Sequence, residues 1–107
     1  MNNERSRESV KVLKEAMELQ IRKARDYQNP ETGIKQAQHY RRGIDTIHDF
    51  LHSKILRATS LLESGKDPNF ESLEDTYMDM INYASFAVSW LRFKMEGQDK
   101  NKDIFNK

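Results

Sequence analysis

The chain has no cysteine, which removes disulfides, thiolate metal sites and a cysteine nucleophile together. Two prolines and four glycines among 107 residues are too few to divide it into many short strands. Neither charge is in excess: 18 lysines and arginines stand against 17 acids, for a net charge of +1. A general nucleic-acid or anionic-membrane surface would need a clear basic surplus, so neither partner is expected. No apolar run approaches the ~20 residues of a membrane span, and the opening MNNERSRESV lacks the apolar segment of a signal peptide. A soluble, cytoplasmic protein is the resulting expectation. A glycine-rich phosphate loop, a dinucleotide fingerprint and a Ser-His-Asp arrangement are also missing, which argues against a P-loop NTPase, a dehydrogenase or acyl transfer.

Helical spacing is what remains. Val10, Leu13, Met17, Ile21 and Ala24 recur at steps of three and four, predicting a first helix from about Arg5 to Tyr27. Pro30 within Gln28-Asn29-Pro30-Glu31-Thr32-Gly33 ends it. A second helix is predicted from about Ile34 to Ser64, with Ala37, Tyr40, Ile44, Ile47, Leu51, Ile55, Ala58 and Leu62 as its stripe and Gly43 as a point of bending or interruption. Gly65 caps it, and a third helix follows from about Phe70 to Met95. The expected fold is all-α: a three-to-four-helix antiparallel bundle over residues 1–97, completed by oligomerisation, with a flexible polar tail at 98–107.

The third helix carries an unusual face. Leu73, Tyr77, Met80, Ala84, Ala87 and Leu91 form the stripe expected to be core. Asp75, Asp79, Asn82, Tyr83, Phe86, Trp90 and Phe93 form another, acidic at one end and aromatic at the other. A helix packed on one side only keeps its second face polar throughout, so the aromatic half calls for another helix or another subunit. Glu71, Glu74 and Asp75 lie in the first turns, where the helix dipole alone accounts for negative charge. Asp79 lies beyond them and needs a partner of its own. In an antiparallel hairpin about residues 65–69, positions whose numbers add to about 133 lie level, setting Lys54 against Asp79 and Arg57 against Asp75. Two readings are open: a pair of interhelical salt bridges, or a pocket in which carboxylates hold Mg²⁺ and cations hold phosphate oxygens.

Lys54-x-x-Arg57, Leu61-Leu62-x-x-Gly65-Lys66 and Glu71-Ser72-x-x-Asp75-Thr76-x-x-Asp79-x-x-Asn82-Tyr83-Ala84 resemble the small phage and bacterial nucleotide-modification-associated domain family. Lys23-x-x-Asp26-Tyr27 looks like that family's Lys-x-x-Asp-Tyr-Gly segment, with Gln28 in place of the glycine. The acids four apart are also similar to the all-α, MazG-like nucleoside triphosphate pyrophosphohydrolases, whose Glu-Glu-x-x-Glu this chain lacks; its second helix offers only Asp45 and Asp49. The resemblance implies a phosphorylated nucleotide as ligand. Asp75, Asp79 and Glu71 would then hold Mg²⁺ or Mn²⁺, Lys54 and Arg57 would contact phosphate, and Asn82, Tyr83, Asp26 and Tyr27 would orient the ligand. In a straight hairpin Asp26 and Tyr27 would lie about 27 Å from Lys54, so the chain must fold back at Gly43 or a second subunit must supply them.

Three functions follow as expectations. One is nucleotide binding with metal-assisted phosphoanhydride hydrolysis. Another is non-catalytic sequestration of a cyclic or linear nucleotide immune signal at a subunit interface, an anti-defence role. The last is a structural adaptor. His48-Asp49-x-x-His52 places two histidines one turn apart, but His39 would fall on the opposite side of a continuous helix and no third ligand is evident.

Overall fold

The computed structural model describes residues 4–27, 33–64 and 70–98, without the side chains of Arg5, Asp26, Tyr27, Phe70 and Glu71. These residues form three α-helices, α1 (Glu8–Tyr27), α2 (Ile44–Glu63) and α3 (Phe70–Leu91), with 3-10 turns at Glu4–Ser6 and Gln36–His39. The fold is all-α, as the spacing predicts, and no strand occurs among the described residues. Nor is any described helix long and apolar enough to cross a membrane. The expected connection at 65–69 and the expected tail, except Gln98, lie outside the described residues.

The second helix is shorter than its apolar stripe. Gly43 adopts φ 63° and ψ −132°, a conformation that a Cβ opposes, so the helix cannot run through it. The residues before it close instead into a 3-10 turn, and the Gly43 N–H donates to the Tyr40 carbonyl at 3.0 Å. The next helix starts afresh: the Arg42 N–H donates to Thr46 Oγ1 at 2.9 Å, and the Arg42 guanidinium meets Asp45 at 2.6 Å. Ala37 and Tyr40 therefore belong to a separate strap that folds back over the hairpin.

The third helix also stops early, at Leu91 rather than Met95. Phe93 takes a left-handed φ of 58°. Its N–H donates to the Trp90 carbonyl at 2.9 Å and the Lys94 N–H to Ser89 at 3.1 Å, the paired bonds of a Schellman motif with phenylalanine where glycine is usual. The chain then turns back and buries Met95. Ile47, fully buried, packs with Ala37, Tyr40, Trp90 and Met95, and Ile44, Phe86 and Ala87 close around them. The Tyr40 ring meets Phe50 and Trp90 edge-on at 6.2 and 6.5 Å. The second surface demanded by the aromatic face of α3 is thus the strap and α2 of the same chain.

All three predicted apolar stripes need correction, and in the second Ile55 and Leu62 are exposed. Val10, Leu13, Met17 and Ile21 of α1 are exposed, as are Tyr77 and Leu91 of α3. Ala24 and Ala84 are exposed as well. The reason is geometric. Among the described residues the first helix lies against α3 and not against α2, so it covers one edge of the hairpin. The buried side of α3 is rotated toward Thr76, Asn82 and Trp90.

Candidate functional site

The site builds up around Asp79. Antiparallel packing of α2 and α3 sets Lys54 level with it, and Lys54 Nζ lies 3.0 Å from Asp79 Oδ2. The same register stacks Phe50 of α2 on Tyr83 of α3, with centroids 5.3 Å apart and planes 14° from parallel. From the other side, α1 runs antiparallel to α3 and brings Lys23 Nζ to 3.2 Å from Asp79 Oδ1. One turn earlier Gln20 Nε2 donates to Asn82 Oδ1 at 3.2 Å and to Ser85 Oγ at 3.0 Å. Asn82 is nearly buried, and its amide is held by that partner.

Asp79 is only 23% exposed along its side chain. Burial by itself would raise its carboxyl pKa; the hydrogen bonds and charges of Lys54 and Lys23 together outweigh burial and hold it below the ordinary value. Asp79 is therefore ionised at neutral pH. Burial pushes the Tyr40 hydroxyl up, only partly opposed by its hydrogen bond with Gln36, so it stays protonated.

These groups line a recess of about 550 Å³, within the usual range for small-molecule sites. Lys23, Lys54 and Asp79 form one end, and Phe50, Tyr83 and Phe86 form an aromatic wall. The strap supplies the far side, with Ile34, Lys35, Gln36, His39 and Tyr40. The strap is clasped by the C-terminal turn. The Ala37 N–H donates to the Glu96 carbonyl at 3.0 Å, and Gln98 Nε2 donates to the Trp90 carbonyl at 2.9 Å. Gly97, at φ 85°, presses against Lys35; a Cβ there would sit 2.3 Å from the Lys35 Cβ.

Of the residues singled out from the sequence, Lys54, Asp79, Asn82 and Tyr83 come together here. Arg57 and Asp75 do not: both are exposed, and no ion pair joins them among the described residues. The side chains of Glu71, Asp26 and Tyr27 lie outside the described residues. His48 and His52 are exposed on α2, away from the recess lining, whereas His39 lines it because the helix that would have carried it away is broken. Gln20, Lys23, Lys35 and Tyr40 were not expected at this recess. Lys23 had a signal, since it opens the segment that resembles the family; Lys35 and Tyr40 had only Gly43.

Residues 23–91 match the model of the family described as nucleotide modification associated domain 1. The chain belongs to that family. The matched span begins at Lys23 and contains Lys54, Asp79, Asn82 and Tyr83, so both cations that bind Asp79 are part of the family's domain. No curated protein and no solved structure gives a significant match.

A divalent ion needs oxygens free to coordinate it. No three histidine, aspartate or glutamate side chains converge among the described residues. Both oxygens of Asp79 already accept from ammonium groups, and Asp75 faces solvent one turn away. Among the described residues the recess therefore offers a divalent ion one carboxylate, already bound by two lysines, and the Glu71 side chain lies outside them.

Proposed function

We propose that this member of the nucleotide modification associated domain 1 family binds a phosphorylated nucleotide in the recess between α1, α2 and α3. The observation that carries the reading is the adjacency of two unlike surfaces. A stacked Phe50–Tyr83 wall suits a base, and Lys23 and Lys54 suit phosphate, all within one recess. Retention without turnover is favoured over metal-assisted hydrolysis by the double engagement of Asp79, whose two oxygens each already accept from a lysine. Sequestration of a nucleotide signal is the corresponding biological role. A second copy of the chain covering the exposed stripe of Val10, Leu13, Met17 and Ile21 belongs to the same reading.

The test is a thermal-shift screen of nucleoside mono-, di- and triphosphates and cyclic nucleotides, with and without Mg²⁺ or Mn²⁺, joined to an assay for released phosphate and pyrophosphate. A ligand at a hundred times its Kd stabilises the fold by about 2.7 kcal/mol, a rise of several degrees for a chain of this size. Recovery of intact nucleotide after heating supports retention; released pyrophosphate replaces it with hydrolysis. No shift with any nucleotide at millimolar concentration leaves the adaptor reading.

A further inference from the structure

Lys23 and Lys54 come from helices whose backbones do not approach closely among the described residues, and the Asp79 carboxylate joins them, one oxygen to each. One negative charge does not neutralise two positive ones, so this end of the recess keeps a positive excess; Lys35, which also lines the recess, is paired with Glu96 at 3.6 Å. A carboxylate oxygen and a phosphate oxygen offer an ammonium group the same partner. A phosphate monoester brings close to two charges and three acceptor oxygens against the single charge of a carboxylate. We propose that Asp79 occupies the place of the ligand's phosphate: it holds Lys23 and Lys54 at the recess in the empty protein, and the terminal phosphate of a nucleotide displaces it without a divalent ion. This rests on the nucleotide reading above and gives that site its ligand class, a metal-free phosphate monoester.

The role has a sign that a metal ligand would not share. While charged, Asp79 repels the entering phosphate and competes for both lysines. Its low carboxyl pKa keeps that competition in force at neutral pH. Neutralising it in the same shape should therefore improve binding, whereas removing a metal ligand should abolish it.

Isothermal titration of the full chain with adenosine 5′-monophosphate and, separately, inorganic phosphate tests this, in EDTA and in Mg²⁺. The wild type should bind equally in both media, Asp79→Asn about tenfold more tightly, and Lys23→Met and Lys54→Met at least tenfold more weakly. Tighter adenosine 5′-monophosphate than phosphate identifies the nucleoside as part of the ligand; equal affinities reduce the site to one for free phosphate and overturn the nucleotide class. Binding that needs Mg²⁺ and is lost in Asp79→Asn makes Asp79 a metal ligand, overturning the displacement while the nucleotide reading stands. Unchanged or weaker binding of a folded Asp79→Asn in EDTA also overturns it. Should Asp79→Asn not fold, the carboxyl ¹³C resonance of Asp79 in the wild type decides: it moves on phosphate addition if the lysines leave it, and an unmoved resonance with phosphate bound refutes the displacement. Absence of binding by every variant removes both this inference and the reading beneath it.

Discussion

Asp75 and Asp79 stand one turn apart on α3, each set opposite a cation of α2, and their surroundings differ. Asp79 is largely covered and bound by two lysines, while Asp75 is exposed and unpaired with Arg57. Position along the helix, with Asp75 in the first turns and Asp79 beyond them, does not by itself set the two environments apart. The cover does: α1 ends at Tyr27, close to the level of Asp75, and the strap folds over the hairpin farther along, where Tyr40, Ile47 and Trp90 meet. The open end keeps Leu62 and Tyr77 in solvent. A charged pair becomes a site when a third element shelters it, because water weakens an exposed pair until little energy is left in it.

The contrast between the covered and open ends can be broken most strongly at the core. Ile47→Ala removes a fully buried side chain and should cost about 2–5 kcal/mol in urea unfolding. Leu62→Ala, on a residue 61% exposed, should cost less than about 1 kcal/mol. Equal losses would mean that the open end is covered in solution.

The clasp between the strap and the C-terminal turn is the next point of leverage. Gly97→Ala combines a left-handed φ with a Cβ driven against Lys35, and should cost about 2 kcal/mol or more. At Gly33, where φ is 68° but nothing lies within 4 Å, the same change meets only the backbone penalty of about 1 kcal/mol. Thermal melts of the two variants measure the difference that belongs to the clasp.

The smallest effect is a pH dependence. The Asp79 carboxyl is held below its unfolded value of 3.8, so its stabilising contribution is complete above that pH and is lost as pH falls through the lower folded value. Stability curves of wild type and Asp79→Asn should therefore run parallel near neutrality and converge in acid. A gap of up to about 1 kcal/mol is expected, since both lysines remain partly exposed.

Much of the fold was readable because it depends on short-range rules. The spacing of apolar residues marked all three helices, and the few residues of sequence between the last two set the register that pairs Lys54 with Asp79 and Phe50 with Tyr83. The α1 stripe was readable as helix but not as surface, because periodicity says which residues share a face and not whether anything covers it. Within the recess, Lys54, Asp79, Asn82 and Tyr83 followed from that one register. Lys23, Lys35 and Tyr40 did not, since their positions depend on where α1 and the strap come to rest.

The amino-acid sequence by itself determined the helices, a weak point at Gly43 and the hairpin register, all consequences of backbone conformation and of contacts across a short connection. Only the tertiary structure decided that α1 would lie along α3 and that the strap would close over α2. Those placements are the sum of many weak, distant contacts with no local signature. They convert a carboxylate and a lysine facing each other into a sheltered, net-positive recess.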